Sequence, residues 1–315
     1  PIRPGSSAGI VANGSGKSGG LIYTFDRCQN NGEVTGNGIL GGITAVQGAT
    51  AGNNVCHYIQ CVNNGDITAT ATQAVSSSAM AGIAAFYSPG SVFEYCINTG
   101  FVTNTKSVYT AGIAANNKGS ATADYPVVFK GCVNTGNIAS SAQQIAGIVA
   151  YITNYTSVDS CLNYGTIEQG IWGAAGICYT MAGTTSSLTN CINYGDVSVT
   201  QYNAGGIVGN CASTTAVIEN CVNVGNITST TTAEKNNYGV GGIAGSSYAT
   251  MKNCFNAGKV VGKLRVGGIV GSPSYYAKVA RTQLVNCVNV GLITADEGCG
   301  GALVGTTKGE EEKYW

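Results

Sequence analysis

The sequence is poor in charge, proline and histidine. Charged residues make up 10% of the 315 residues, proline occurs 5 times, and the single histidine is His57. The 15 basic and 15 acidic residues give no net charge, so the chain lacks the long-range attraction that nucleic acid or an anionic membrane requires. Scarce proline excludes a collagen-like chain, and the frequent Ile and Val residues exclude a disordered one. These absences predict a folded protein that does not bind nucleic acid.

The sequence also lacks long apolar runs. None approaches the ~18 residues of a membrane-spanning helix, and the start of the chain, Pro1 to Pro4, lacks the apolar core of a signal peptide. We therefore expect no insertion into a membrane. If the protein is exported, its signal segment lies outside this sequence.

Clusters of catalytic or metal-binding residues are missing as well. A catalytic Ser–His or Cys–His pair could be built only around His57, the one histidine. Its sequence neighbours Cys56 and Tyr58 match no known catalytic motif. No two cysteines have the CxxC spacing of a zinc site, and acidic residues such as Asp66 and Asp196 are scattered. The sequence therefore predicts no catalytic residues, no metal and no cofactor.

What the sequence has is a repeat. The pattern Cys-x-Asn-x-Gly occurs nine times at intervals of 29 to 36 residues. A β-branched residue follows two places after each motif glycine, a large apolar residue stands three places before each cysteine, and an Ala/Gly-Gly-Ile element recurs between motifs. The motif cysteines are Cys28, Cys61, Cys96, Cys132, Cys161, Cys191, Cys221, Cys254 and Cys287.

Each period thus carries three short apolar segments, which are too short for helices and have the glycine punctuation of strands. A unit of this size cannot bury an apolar face alone, so successive units stack. We predict an all-β, single-domain parallel β-solenoid over residues 1–307, with three strands per coil and about nine coils of 29 to 36 residues. Parallel crossovers favour a right-handed coil. Residues 308–315 are a charged tail that caps the open end.

The repeated polar residues have a structural explanation in this fold. One asparagine per coil predicts an asparagine ladder, in which amides one strand spacing apart bond to each other. The motif glycines are expected to supply positive φ, and the motif cysteines a column of buried side chains. Any disulfide would have to involve the cysteines outside that column, which are Cys56, Cys178, Cys211 and Cys299.

Tyrosines on adjacent coils predict a stacking platform for a sugar or a protein. Tyr164 and Tyr194 are equivalent residues of neighbouring repeats, and further tyrosines follow the Gly-Ile element. Ordinary exposed tyrosines are the alternative interpretation. The candidate ligand-binding residues are Tyr164, Tyr194, Tyr151, Tyr179, Tyr275 and Tyr276.

One repeat unit resembles the GLUG repeat of bacterial surface proteins. The likeness lies in Gly-Gly-Ile-Val-Gly at residues 205–209, the asparagine-rich segment 217–223 and the glycine-led segment 225–228. It extends over most of the chain and is clearest between residues 204 and 305. The resemblance implies an exported bacterial protein of the kind found in adhesins and stalks, and it carries over no catalytic residue.

The sequence supports three hypotheses about function. The first is a noncatalytic secreted or cell-surface module, adhesin-like, that binds carbohydrate or a host or matrix protein on a rigid solenoid face. The second is a passive spacer or stalk of a larger surface protein. The third is a polysaccharide-degrading β-helix enzyme. The oligomeric state does not follow from the sequence.

Overall fold

The protein is described by a computed structural model that covers residues 5–13, 22–46, 55–70, 78–104, 108–117, 119–141, 143–170, 172–230, 238–273, 282–297 and 300–305. Within these ranges the regular secondary structure consists of β-strands, with no helix. Each strand pairs in parallel with its equivalents one repeat away. The prediction of a parallel β-solenoid is confirmed. The predicted cap at 308–315 lies outside the described residues.

Five sheets run along the solenoid, and we name them A to E in the order in which the chain visits them. Sheet A has ten strands and the other four have nine each. Sheet A consists of Ser6–Ala8, Ile39–Gly41, Ala79–Ala81, Tyr109–Ala111, Gln144–Ala146, Gly173–Ala175, Asn203–Gly205, Val240–Gly241, Val266–Gly267 and Gly300–Gly301. Sheet B consists of Val11–Asn13, Thr44–Val46, Ala84–Tyr87, Ala114–Asn117, Val149–Ile152, Cys178–Met181, Val208–Cys211, Ala244–Ser247 and Val270–Pro273.

Sheets C, D and E complete each coil. Sheet C consists of Ile22–Asp26, Val55–Ile59, Val92–Glu94, Val127–Lys130, Thr156–Asp159, Ser187–Thr189, Val217–Glu219, Thr250–Lys252 and Gln283–Val285. Sheet D consists of Gln29–Asn30, Val62–Asn63, Ile97–Asn98, Val133–Asn134, Leu162–Asn163, Ile192–Asn193, Val222–Asn223, Phe255–Asn256 and Val288–Asn289. Sheet E consists of Val34–Gly36, Ile67–Ala69, Val102–Asn104, Ile138–Ser140, Ile167–Gly170, Val197–Val199, Ile227–Ser229, Val260–Gly262 and Ile293–Ala295.

The prediction of three strands per coil is wrong, because two of the predicted segments are bent. The Gly-Ile element turns a corner at residues such as 206–207, which separates sheet A from sheet B. A second corner precedes each motif cysteine and separates sheet C from sheet D. The residue at this corner has a left-handed backbone, with φ of 61° at Gly131 and between 51° and 55° at Arg27, Gln60, Tyr95, Ser160, Asn190, Asn220, Asn253 and Asn286.

The inward side chains form two apolar clusters. One contains the motif cysteines and residues of sheets B and C, and the other contains residues of sheets E and A such as Ile167 and Ala204. The residue three places before the cysteine supplies a stack of rings, with centroids 5.1 Å apart for Phe25 and Tyr58 and 4.6 Å apart for Tyr58 and Phe93. Stacking equivalent residues is therefore what builds the core.

The predicted asparagine ladder is present. Asn163 Nδ2 donates to Asn193 Oδ1 at 2.8 Å, and Asn193 Nδ2 donates to Asn223 Oδ1 at 2.8 Å. The same Nδ2 of Asn193 also donates to the Gly195 carbonyl at 2.8 Å. The motif glycines do not supply positive φ as predicted, since the described glycines with positive φ are Gly90, Gly131 and Gly173.

The cysteines of the described residues are all free thiols, including the three off the column, Cys56, Cys178 and Cys211. Cys299 lies outside the described residues. Burial raises the pKa of Cys56 and of Cys211 to about 11, and burial holds the pKa of Cys178 well above its ordinary value. A buried thiol with a raised pKa is a poor nucleophile.

Alkylation of the native protein tests this arrangement. At about pH 8, near the ordinary thiol pKa of about 8.5, we expect iodoacetamide to leave Cys56, Cys178 and Cys211 unmodified and to modify all three in denaturant. Half-buried Cys28 is the internal control for reagent access. Rapid modification of the three in the native protein, or resistance that persists in denaturant, would contradict the description.

Candidate ligand-binding site

The outward faces of sheets A and B meet in a cleft, which we call the A–B cleft. The corner at the Gly-Ile element turns the two faces toward each other. Tyr109 of sheet A contacts Tyr151 of sheet B edge to face, with ring centroids 5.7 Å apart. One coil further along, Thr180 Oγ1 of sheet B donates to Gln144 Oε1 of sheet A at 2.9 Å.

Small apolar side chains fill the cleft near the beginning of the chain. There the outward residues of both sheets are mostly alanines, together with Ile39, Val46 and the larger ring of Phe86. A single column of sheet B illustrates how the filling changes, because it carries Ala115, then Ala150, then Tyr179, then Gly209. The change from alanine to tyrosine to glycine in successive coils alters the shape of the cleft at this point.

Tyr179 depends on its glycine neighbour for its position. A Cβ atom added at Gly209 would overlap the Tyr179 ring, so the ring lies directly on the backbone of the next coil. Only 5% of Tyr179 is exposed. Its hydroxyl donates to the Trp172 carbonyl at 3.0 Å, and burial raises the pKa of this hydroxyl, which keeps it protonated as a donor. Tyr179 therefore anchors the segment that carries Trp172.

Three aromatic residues on successive coils form the wall above Tyr179. Trp172 and Tyr202 stand immediately before strands of sheet A, and Tyr238 stands two residues before the next strand, at the equivalent position of the in-register pairing. The Trp172 and Tyr202 rings are 6.1 Å apart at 64°, and the Tyr202 and Tyr238 rings are 4.1 Å apart at 90°. Because the rings contact each other edge to face, they form an uneven wall on one side of a concave space and not a flat platform.

This space is a pocket of about 300 Å³. Its aromatic lining is Trp172, Tyr179, Tyr202 and Tyr238. Its polar lining is Gln144, Thr180, Asn203 and Asn210. A lining that combines aromatic rings with amides and a hydroxyl can hold a ligand that has both an apolar face and several hydroxyl groups.

The polar side of the pocket is held in place by the protein. The buried Asn203 accepts a hydrogen bond at Oδ1 from the Gly239 amide at 2.9 Å. Gln144 Oε1 is fixed by Thr180, as described above. The amide of half-exposed Asn210 makes no side-chain hydrogen bond to any residue that the structure describes. A pre-organised amide loses little freedom when a ligand binds.

The predicted ligand-binding tyrosines that the structure describes lie on two separate surfaces. Tyr164 and Tyr194 stack with centroids 4.7 Å apart at 6°, and they are 48% and 42% exposed. They follow strands of sheet D and do not line the pocket. Tyr179 lines the pocket and Tyr151 lies one coil before Thr180 in the same cleft. The predicted residues Tyr275 and Tyr276 lie outside the described residues.

The sequence reasoning missed Trp172, Tyr202 and Tyr238. A signal was present, because each lies five positions before the isoleucine of its Gly-Ile element, at 172 before 177, 202 before 207 and 238 before 243. Three aromatic residues at one fixed offset on consecutive repeats predict a row along the solenoid.

The described residues contain no group of three or more His, Cys, Asp or Glu side chains arranged to hold a metal ion. No helix in the described part of the chain has the length and apolar character needed to cross a membrane. Comparisons with protein-family models, with curated proteins and with solved structures gave no match to this chain. Function is therefore inferred from the geometry of the pocket.

Proposed function

We propose that this chain is a noncatalytic, secreted or cell-surface binding module that holds carbohydrate in the pocket of the A–B cleft. The observation that supports the proposal is the pairing of inclined aromatic rings with fixed amides in one concave site. A sugar presents a C–H face that packs on aromatic rings and hydroxyls that bond to amides, so both halves of the lining have a use.

Exposure supports a role for Trp172 as the first point of contact. Its side chain is 44% exposed although its carbonyl is tied down by Tyr179. A large aromatic surface on a fixed backbone binds with a small loss of conformational entropy. Tyr164 and Tyr194 supply a second, flat aromatic surface, which a longer polysaccharide or a partner protein would contact.

The wider setting of the module is part of the same proposal. The resemblance to GLUG repeats supports an adhesin-like protein of a bacterial surface, and a spacer or stalk function is the alternative. We infer a right-handed solenoid, because parallel crossovers favour that hand. A rigid rod of this kind displays its cleft at a fixed distance from whatever it is attached to.

A glycan array with the labelled protein tests the proposal. We expect reproducible binding to a subset of glycans, and we expect Trp172→Ala to weaken that binding at least about tenfold, because truncating an aromatic residue that anchors a ligand costs about 2 kcal/mol or more and 1.4 kcal/mol is tenfold. Unfolding of the variant by circular dichroism must match that of the wild type.

Two further variants separate the aromatic surfaces. Phe101→Ala removes an exposed ring outside the pocket, and we expect it to leave binding unchanged. Tyr164→Ala combined with Tyr194→Ala removes the flat platform. Loss of binding in that double variant alone would move the site away from the cleft, and silence across glycans would contradict carbohydrate binding and favour a matrix-protein partner or a spacer.

A further inference from the structure

We propose that the pocket selects an uncharged sugar unit of one or two rings and discriminates against acidic and amino sugars. This inference rests on the proposed function, since it names the class of carbohydrate that the same site takes. It follows from three properties: the described lining residues carry no charge, the pocket is small, and two of its amides are held in place by hydrogen bonds within the protein.

The first property is the chemistry of the lining. None of the eight described lining residues is acidic, basic or histidine. A carboxylate, sulfate or ammonium group that enters such a site loses water and gains no partner of opposite charge, which is strongly unfavourable. The neutral amides and hydroxyls, in contrast, both donate and accept, as sugar hydroxyls do. Among sugars with the same ring, the pocket is therefore expected to bind the uncharged one more tightly than its charged analogues.

The second property is the size and shape of the space. About 300 Å³ is at the lower end of the volumes of ligand pockets. Trp172 and Tyr202, in edge-to-face contact, form the aromatic side of this space, and Gln144, Asn203 and Asn210 contribute amides to the same lining. A pocket of this shape accommodates a short unit, such as a chain end or a branch, whereas the interior of a long linear polysaccharide would need an open platform.

The third property is the state of the amides. Asn203 and Gln144 are each held by a protein donor, at 2.9 Å in both cases, so their orientation is fixed before a ligand arrives. Asn210 is half-exposed and has no side-chain partner among the described residues. A hydroxyl of the sugar replaces water at the Asn210 amide and breaks no hydrogen bond within the described part of the protein. Asn210 is therefore the residue that forms a new hydrogen bond with a ligand hydroxyl.

Tryptophan fluorescence provides a direct experiment, because the chain has two tryptophans. In Trp315→Phe the sole tryptophan is Trp172, which lines the pocket. This protein is titrated with methyl glycosides and disaccharides of glucose, galactose and mannose, and with the corresponding uronic acids and amino sugars, at low and at high salt. We expect a saturable change with at least one neutral sugar, independent of salt, and at least about tenfold weaker binding of its charged analogues.

A second variant tests the role of Asn210. Asn210→Ala is expected to weaken binding of the neutral sugar about tenfold and to leave the unfolding midpoint unchanged, since an unmet sugar hydroxyl costs about 1 to 3 kcal/mol. Equal or tighter binding of an acidic or amino sugar at Trp172 would overturn the inference and leave the proposed function intact. Binding of long polysaccharides without any short unit would overturn the size assignment. If no carbohydrate bound, either on the glycan array or in the fluorescence titration, both this inference and the proposed function would be overturned.

Discussion

Gly195→Ala is expected to destabilise the protein by about 3 kcal/mol. A Cβ atom at residue 195 would overlap the carbonyl oxygen of Gly165 in the preceding coil and would lie 2.7 Å from the Gly165 carbonyl carbon and 3.0 Å from Asn163 Nδ2. These are backbone and ladder atoms that cannot move without shifting a whole coil. The motif glycine is therefore required by the close approach of successive coils and not by its φ angle.

Gly32→Ala is the matched control for this variant. Gly32 is the same motif position in the first described repeat, where the nearest atom to an added Cβ is Asn30 Oδ1 at 3.9 Å. We expect Gly32→Ala to change the free energy of unfolding by less than about 0.5 kcal/mol. Urea unfolding followed by circular dichroism measures both variants. Equal effects of the two substitutions would contradict the stacking of equivalent glycines.

Asn63→Ala is expected to lower the free energy of unfolding by about 3 kcal/mol. Asn63 is fully buried, and its Nδ2 donates to the Gly65 carbonyl at 2.7 Å and to Asn98 Oδ1 at 2.8 Å. Its Oδ1 accepts from Asn30 Nδ2 at 2.8 Å. Alanine leaves these buried groups without partners, and each stranded group costs about 1 to 3 kcal/mol.

The adjacent residue offers a control of the same chemistry. Asn64 also bonds to neighbouring coils, donating from Nδ2 to Asn31 Oδ1 at 2.8 Å and accepting from Thr99 Oγ1 at 2.9 Å, but it is exposed. Water replaces those bonds, so we expect Asn64→Ala to cost less than about 0.5 kcal/mol. If Asn63→Ala were as mild as Asn64→Ala, the ladder would be solvated and would not contribute to the core.

Features that recur at one residue per coil were predictable from the sequence. The Cys161, Cys191 and Cys221 column and the asparagine ladder follow from stacking alone, because in-register parallel pairing places equivalent residues side by side. The corner before each cysteine was not predictable in the same way. Asparagine, which tolerates the left-handed backbone, marks the corner only from Asn190 onward, whereas Arg27, Gln60 and others adopt the same backbone in the earlier coils.

The pocket was harder to predict because it is a departure from the repeat. It exists where Tyr179 replaces the alanine of earlier coils and Gly209 makes room for its ring. A search for what recurs finds the scaffold and passes over such exceptions. Tyr164 and Tyr194 were found because they are alike and adjacent, whereas the wall of the pocket combines Trp172 with tyrosines at the same offset.

Fluorine NMR of the fluorotryptophan-labelled protein tests carbohydrate binding in the A–B cleft most directly. Trp315→Phe assigns the resonance of Trp172, and the neutral sugar with the strongest signal on the array is then titrated in. We predict that the Trp172 resonance shifts in proportion to the bound fraction and that Asn210→Ala weakens the titration. A Trp172 resonance that stays unchanged while the sugar saturates the protein would contradict binding in the cleft.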